Sequence, residues 1–163
     1  MSRIAVILAL LALAACGFQL RGEASIGLKS LYVSTDAPSM VAVEVRRQVT
    51  GSSTKLAASA KEGEAHLRIL SESTDKTIQT LTGAGQVFDY RLRLKVGFQV
   101  TEAGEKAVVP PAEIELWRII SYSATAPLAK EAEEQLLFND MRNEAATRIL
   151  RRIAVVRANA SPQ

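Results

Sequence analysis

Arg91, Arg93 and Lys95 occupy alternate positions in the most regular stretch of the chain. On a strand, alternate residues share one face and stand ~6.6–6.8 Å apart. Guanidinium forks match phosphate oxygens, so such a row can hold an anion bearing several phosphates. A solvated strand face that resists edge pairing accounts for the same row without any ligand. The other polar groups offer less. Glu113 and Glu115 lie two apart, the spacing of one wetted strand face. The single histidine, His66, sits between Ala65 and Leu67 in an alternating run and reads as an ordinary strand residue. No Gly-x-Ser-x-Gly elbow or zinc-ligand spacing is present in the sequence. Gly83-Ala84-Gly85 lacks a third glycine and a following helical pattern, so it is a turn rather than a dinucleotide-binding loop. No catalytic residue, metal ligand or cofactor is assigned, and an enzyme is not expected.

The only cysteine, Cys16, stands at a different kind of site. Arg3 precedes an unbroken apolar run over residues 4–13, and the small residues Ala14 and Ala15 then lead into Cys16. The run is too short to span a bilayer, which takes ~20 apolar residues, and has the layout of an export signal. Leu13-Ala14-Ala15-Cys16 resembles the bacterial lipobox. That resemblance implies cleavage before Cys16 and acylation of its thiol and new amine, a membrane anchor in place of a free thiol. Gly17 rather than Asp follows, which by the same resemblance directs the protein to the outer membrane. Residues 1–15 are thus expected as a lipoprotein signal peptide and 16–27 as the lipidated cysteine and a tether. A single domain is expected over 28–157 and a loose tail over 158–163. With its one cysteine acylated the chain can form no internal disulfide. The chain carries 20 Lys and Arg against 17 Asp and Glu, a balance that does not call for nucleic acid.

The elements that must position these groups follow from periodicity. Phe88, Tyr90, Leu92, Leu94, Val96, Phe98 and Val100 alternate with polar residues, which predicts a long antiparallel strand with one buried and one wet face. Residues 28–34 read as a short strand, and Gly51 to Gly63 as a loop in which an edge at Lys55 to Ala58 is left open. Ala65, Leu67 and Ile69 begin a strand that extends past the polar residues 71–75 toward Ile78 and Leu81. Pro110-Pro111 confines its segment to an edge or a break. Ile114, Leu116, Ile120 and Tyr122 then resume the alternation, with Arg118 interrupting the apolar face. Residues 39–50 pose a conflict. Val41, Val43 and Val45 alternate like a strand, whereas Val41, Val45, Gln48 and Val49 form a helical stripe. Pro38, Ser39 and Gly51 punctuate a helix, and a helix is predicted. A second helix opens at Ala126-Pro127, with Leu137, Met141, Ala145, Ile149, Ile153 and Val156 on one stripe, widened by Leu136 and Leu150. Lys130 lies near its positive end, against the helix dipole. The expected fold is α+β, a four-stranded largely antiparallel sheet with two helices packed on one face, in the order β-α-β-β-β-α.

With these elements in place, Cys16-Gly17-Phe18-Gln19-Leu20-Arg21-Gly22 resembles the mature start of the LptE family of lipopolysaccharide-assembly lipoproteins. Gly85-Gln86 before a strand containing Tyr90, Arg118 near the end of the fourth strand, Leu128-Ala129-Lys130-Glu131 at a helix entry, and the basic ending from Arg148 to Arg157 extend the likeness. The resemblance implies two helices on a four-stranded sheet. It implies a plug inside the LptD β-barrel that helps the barrel assemble and helps deliver lipopolysaccharide to the outer leaflet, from an outer-membrane, lipid-anchored, periplasm-facing position. It also implies direct lipopolysaccharide binding through basic residues, of which Lys130 matches by its place in the motif. Arg91, Arg93, Lys95 and Arg118 complete the candidate set. The chain departs from the family at Thr82, Gly83 and Ala84, where close relatives carry a basic residue before the Gly-Gln turn. Phe18 to Gly22, an extended stretch with one apolar side, is then expected to begin the partner-facing part. A lipid-anchored pilot or scaffold for another outer-membrane assembly, with no ligand of its own, is the alternative.

Overall fold

The computed structural model describes residues 26–102 and 106–160. Cys16 and the rest of the Cys-Gly-Phe-Gln-Leu-Arg-Gly motif lie outside them. In chain order the elements are β1 (Ser30–Thr35), α1 (Met40–Thr50), β2 (Lys55–Leu56), β3 (Ala65–Leu81), β4 (Val87–Glu102), β5 (Ala107–Ser121) and α2 (Pro127–Ala160). The sheet has five strands in the order β2-β1-β3-β4-β5, and it is mixed rather than four-stranded and largely antiparallel. β1 pairs in parallel with both β2 and β3, while β3–β4 and β4–β5 are antiparallel. The physical reason is connectivity. Tight turns force antiparallel neighbours, whereas α1 carries the chain back across the sheet, so that β3 enters in the same direction as β1. β2 spans only two residues, at the edge left open within the expected loop.

Helix wins over strand in residues 40–50 because the caps and the stripe agree. Ser39 Oγ accepts from the Ala42 amide at 3.0 Å, and Val41, Ala42, Val45 and Val49 are buried. Val43, the residue that made the period-two pattern, points to solvent. Gly51 donates its amide to the Arg47 carbonyl without entering the left-handed region.

β4 buries Leu92, Leu94, Val96, Phe98 and Val100 completely. The alternation breaks at its beginning: Tyr90 is half-buried and Phe88 is 57% exposed. Register shifts between Ile78 and Leu81 of β3 disturb the pairing there and place Phe88 opposite no β3 residue. A further irregularity, around Leu70, lets β3 pass through its polar middle as one continuous strand. Pro110-Pro111 falls where the β4–β5 register slips, on the edge strand of the sheet, where missing amides cost no ladder bond.

α2 runs for 34 residues, to Ala160, and so takes in the first part of the expected tail. Met141, Ala145, Ile149 and Ile153 are fully buried, as the stripe predicts, and Leu150 joins them. Leu136 does not: it is exposed, and Phe138 and Ala146 are buried instead. Glu72 of β3 ties both helices to the sheet. Its carboxylate accepts from Ser39 Oγ at 2.7 Å and the Val41 amide at 2.9 Å, and meets Arg142 Nε of α2 at 3.3 Å. A carboxylate at the first turn of α1 complements the helix dipole.

Candidate functional site: a paired basic row and an amphipathic end

The basic row lies on the sheet face opposite the helices, as its alternation predicts. There it is matched by acids from both neighbouring strands. Arg93 opposes Asp75 of β3 and Trp117 of β5, and Lys95 opposes Glu115. Arg93 donates through Nε to Asp75 Oδ1 at 2.6 Å and through Nη2 to Oδ2 at 3.2 Å, with Glu115 at 3.6 Å. Lys95 Nζ lies 3.3 Å from Glu113 and 3.8 Å from Glu115. The hydrogen bond from Arg93 lowers the Asp75 carboxyl below its ordinary value, and Asp75 in turn raises the guanidinium. Arg91 differs. Its guanidinium stands 5.7 Å from the centre of the Trp117 ring, and no carboxylate pairs with it among the described residues. The row is therefore a cross-strand charge ladder with one cation left over.

Arg118 resolves the break in the apolar face of β5. It reaches α2, donating through Nη2 to Glu144 Oε2 at 2.6 Å and Asp140 Oδ2 at 3.0 Å. The Arg118 hydrogen bond holds the Glu144 carboxyl below its ordinary value, against partial burial, with Arg148 helping. The sheet–helix seam at this point is a clamp between charges.

Lys130 sits near the start of α2, where Nζ donates to Ser121 Oγ at 3.0 Å and meets Glu133 at 2.9 Å. It lines a cleft of about 130 Å³ with Lys76, Tyr90, Tyr122 and Glu134. Lys76 Nζ lies 2.5 Å from Glu134 and 4.5 Å above the centre of the Tyr90 ring. Tyr90 and Tyr122 meet edge to face at 6.1 Å, and both also line a wider cleft of about 630 Å³ beside the Gly85–Gln86 turn. Around this end Ile78, Leu81, Phe88, Tyr122 and Leu128 each expose more than half of their surface. The arrangement joins one cation over Tyr90, and a second in the same cleft, to exposed apolar side chains, a chemistry suited to an amphipathic anion.

The structure thus separates the candidate residues instead of gathering them. Arg91, Arg93 and Lys95 share the open sheet face, Arg118 is spent on α2, and Lys130 stands at the amphipathic end. Lys76 was not singled out from the sequence, since a lysine in a polar run has no periodic signature; its pairing with Tyr90 alone reveals it. Trp117 did carry a signal: a tryptophan on the polar parity of a strand, between Leu116 and Arg118.

A two-helix α+β domain of this kind recurs among bacterial lipoproteins. A lipoprotein B from Nitrosomonas europaea, solved in solution, superposes with a TM-score of 0.72 at 27% identity, over 85% of this chain and 90% of that one. The rare lipoprotein B from Shewanella oneidensis gives 0.70 at 30% identity, over 80% and 98%. The model of the LptE lipopolysaccharide-assembly family matches residues 28–153, and the chain belongs to that family. The LPS-assembly lipoprotein LptE of Pectobacterium atrosepticum is 29% identical over 91% of this chain and 82% of that protein. Its counterpart in Yersinia enterocolitica is 30% identical over 93% and 74%. As a member of that family the chain is a non-enzymatic lipopolysaccharide-assembly lipoprotein.

Proposed function

We propose that the chain is held at the outer membrane by acylated Cys16 and faces the periplasm. There it plugs and helps assemble the LptD barrel and assists lipopolysaccharide delivery to the outer leaflet. The observation that carries the ligand part is the amphipathic end, where Lys76 and Lys130, paired with Glu134 and Glu133, line a cleft with Tyr90 and Tyr122, and Ile78, Leu81, Phe88 and Leu128 are exposed on the adjoining segments. Lipid A pairs phosphates with acyl chains, so cations and exposed apolar side chains meet both parts of it. Lys130, the residue that matches the family motif, lines this cleft. Arg91, which pairs with no carboxylate among the described residues, supplies a second contact for phosphate on the open sheet face, while Arg93 and Lys95, like Lys76 and Lys130, would exchange their acidic partners.

Three measurements test the reading. Affinity purification should recover a large β-barrel in stoichiometric amount; recovery of the lipoprotein alone would overturn the plug. Lys130→Glu should weaken lipopolysaccharide binding about tenfold or more, the effect of reversing one charge against a phosphate. Arg93→Glu should act less, and unchanged binding in both would remove these residues. Cys16→Ala should move the protein from the detergent phase to the aqueous phase on partition. The pilot or scaffold reading is favoured by one observation, the internal pairing of Arg93 and Lys95; barrel capture without any lipopolysaccharide binding would support it.

A further inference from the structure

Another cavity lies at the opposite end of α2. Between the end of α1 and the last turns of α2 runs a groove of about 470 Å³, lined mainly by apolar surface that includes Ile26, Leu150, Ala154 and Val155. Val155 is 53% exposed there, beside the buried Ile153 and the partly buried Val156. Ile26 is the first described residue, is itself 3% exposed, and forms part of the groove wall. The chain preceding it therefore emerges at the groove. That preceding stretch carries Phe18 and Leu20 on one side and Gln19 and Arg21 on the other, followed by Gly22 and Glu23. Five residues lie between Leu20 and Ile26, so Leu20 can reach up to ~20 Å from Ile26 when that stretch is extended. Arg151 is the charged residue of the lining and has no acidic partner among the described residues. Glu23, three positions before Ile26 in the sequence, is an acid of the opposite charge.

We propose that this groove is the seat of the chain's own residues 17–25, with Phe18 and Leu20 filling its apolar floor and Glu23 meeting Arg151. Fit, reach and charge all point to this occupant. The consequence rests on the reading of Cys16 as the lipid anchor. Once Phe18 is seated, only Gly17 separates the domain from the acylated residue, so a loose tether becomes a fixed mount. The mount also has a direction. Residues 130 and 151 of α2 lie ~30 Å apart along the helix axis, so the amphipathic end is held away from the anchored end.

Cross-linking in the full-length protein, held in detergent micelles, tests the seat independently of the lipid. Leu20→Cys paired with Val155→Cys should join within one chain through a short bismaleimide. Leu20→Cys paired with Leu56→Cys, on the edge strand β2 beside the start of β1, should join at least about fivefold more slowly. Equal rates at the two positions mean a free tether and overturn the proposal. A cross-link formed only between chains overturns it in favour of a second copy as occupant. In hydrogen exchange, the amides of Phe18 to Arg21 should be slowed about tenfold or more, and Val155→Asp should abolish the slowing. Val155 is half exposed, so that variant keeps the fold. Unprotected amides in the parent protein, or protection that appears only when the barrel is added, overturn the proposal.

Discussion

Single side chains in this protein change meaning once their partners are known. Arg118 breaks an apolar alternation in the sequence, and its contacts with Asp140 and Glu144 make it part of the seam between β5 and α2. Arg118→Met should cost about 0.5–1 kcal/mol by chemical unfolding, the scale of a solvent-screened ion pair. The pH dependence follows from the carboxylates. Glu144 and Asp75 have folded-state values below their ordinary ones because of Arg118 and Arg93. The folded form therefore binds fewer protons than the unfolded chain in the acid range. Their contribution is complete above the ordinary carboxylate value of about 4.5 for Glu144 and disappears as pH falls through the lower folded values. The unfolding midpoint should drop in that window, and Arg118→Met should flatten the part of the slope that Glu144 supplies. A slope unchanged by the variant would show that Glu144 owes nothing to Arg118. The basic row illustrates the same lesson. Three alternating cations were legible in the sequence, but Asp75, Glu113 and Glu115 come from other strands, and only the register sets them opposite.

Among the elements, α1 depends on more than its own sequence. Ser39 caps it locally, and Glu72, thirty-odd positions away, adds a second acceptor at the Val41 amide. Glu72→Ala removes that acceptor and leaves Arg142 without its carboxylate. It should destabilise the domain by ~2–3 kcal/mol in denaturant unfolding, while Glu72→Gln, which keeps an acceptor oxygen, should cost less. Equal losses in the two variants would mean that charge rather than hydrogen bonding holds the junction. The two helices and the long β4 were legible because their periodicities are strict over many residues. The place of β2 was offered by the sequence, but its pairing and the parallel direction of β1 were not: two residues carry no period, and strand direction depends on how α1 routes the chain. Leu136 shows the limit of a stripe: it lies at the edge of the helical spacing and is exposed, while Phe138, two residues on, takes the buried place.

At the scale of the molecule, the domain has two unlike ends. The groove with Ile26 lies by the last turns of α2, and the amphipathic end with Tyr90, Tyr122 and Lys130 lies by its first turns. The apolar surface there contributes little to folding, because Ile78 and Phe88 are exposed in the folded domain. Ile78→Ser with Phe88→Ser should therefore leave stability within about 0.5 kcal/mol, as exposed substitutions do. Capture by lipopolysaccharide-bearing vesicles should fall severalfold if this end meets the ligand, and unaltered capture would place the contact elsewhere. The sequence by itself determined the apolar half of each element, the helix caps, the lipobox resemblance and the family motif, since each is written in neighbouring residues. Tertiary structure alone decided the mixed sheet, the acidic partners of the basic row, the helix clamp of Arg118 and the meeting of Lys76 with Tyr90. Those contacts join residues far apart in the chain, and a side chain's charge or exposure is decided by what the fold sets opposite it.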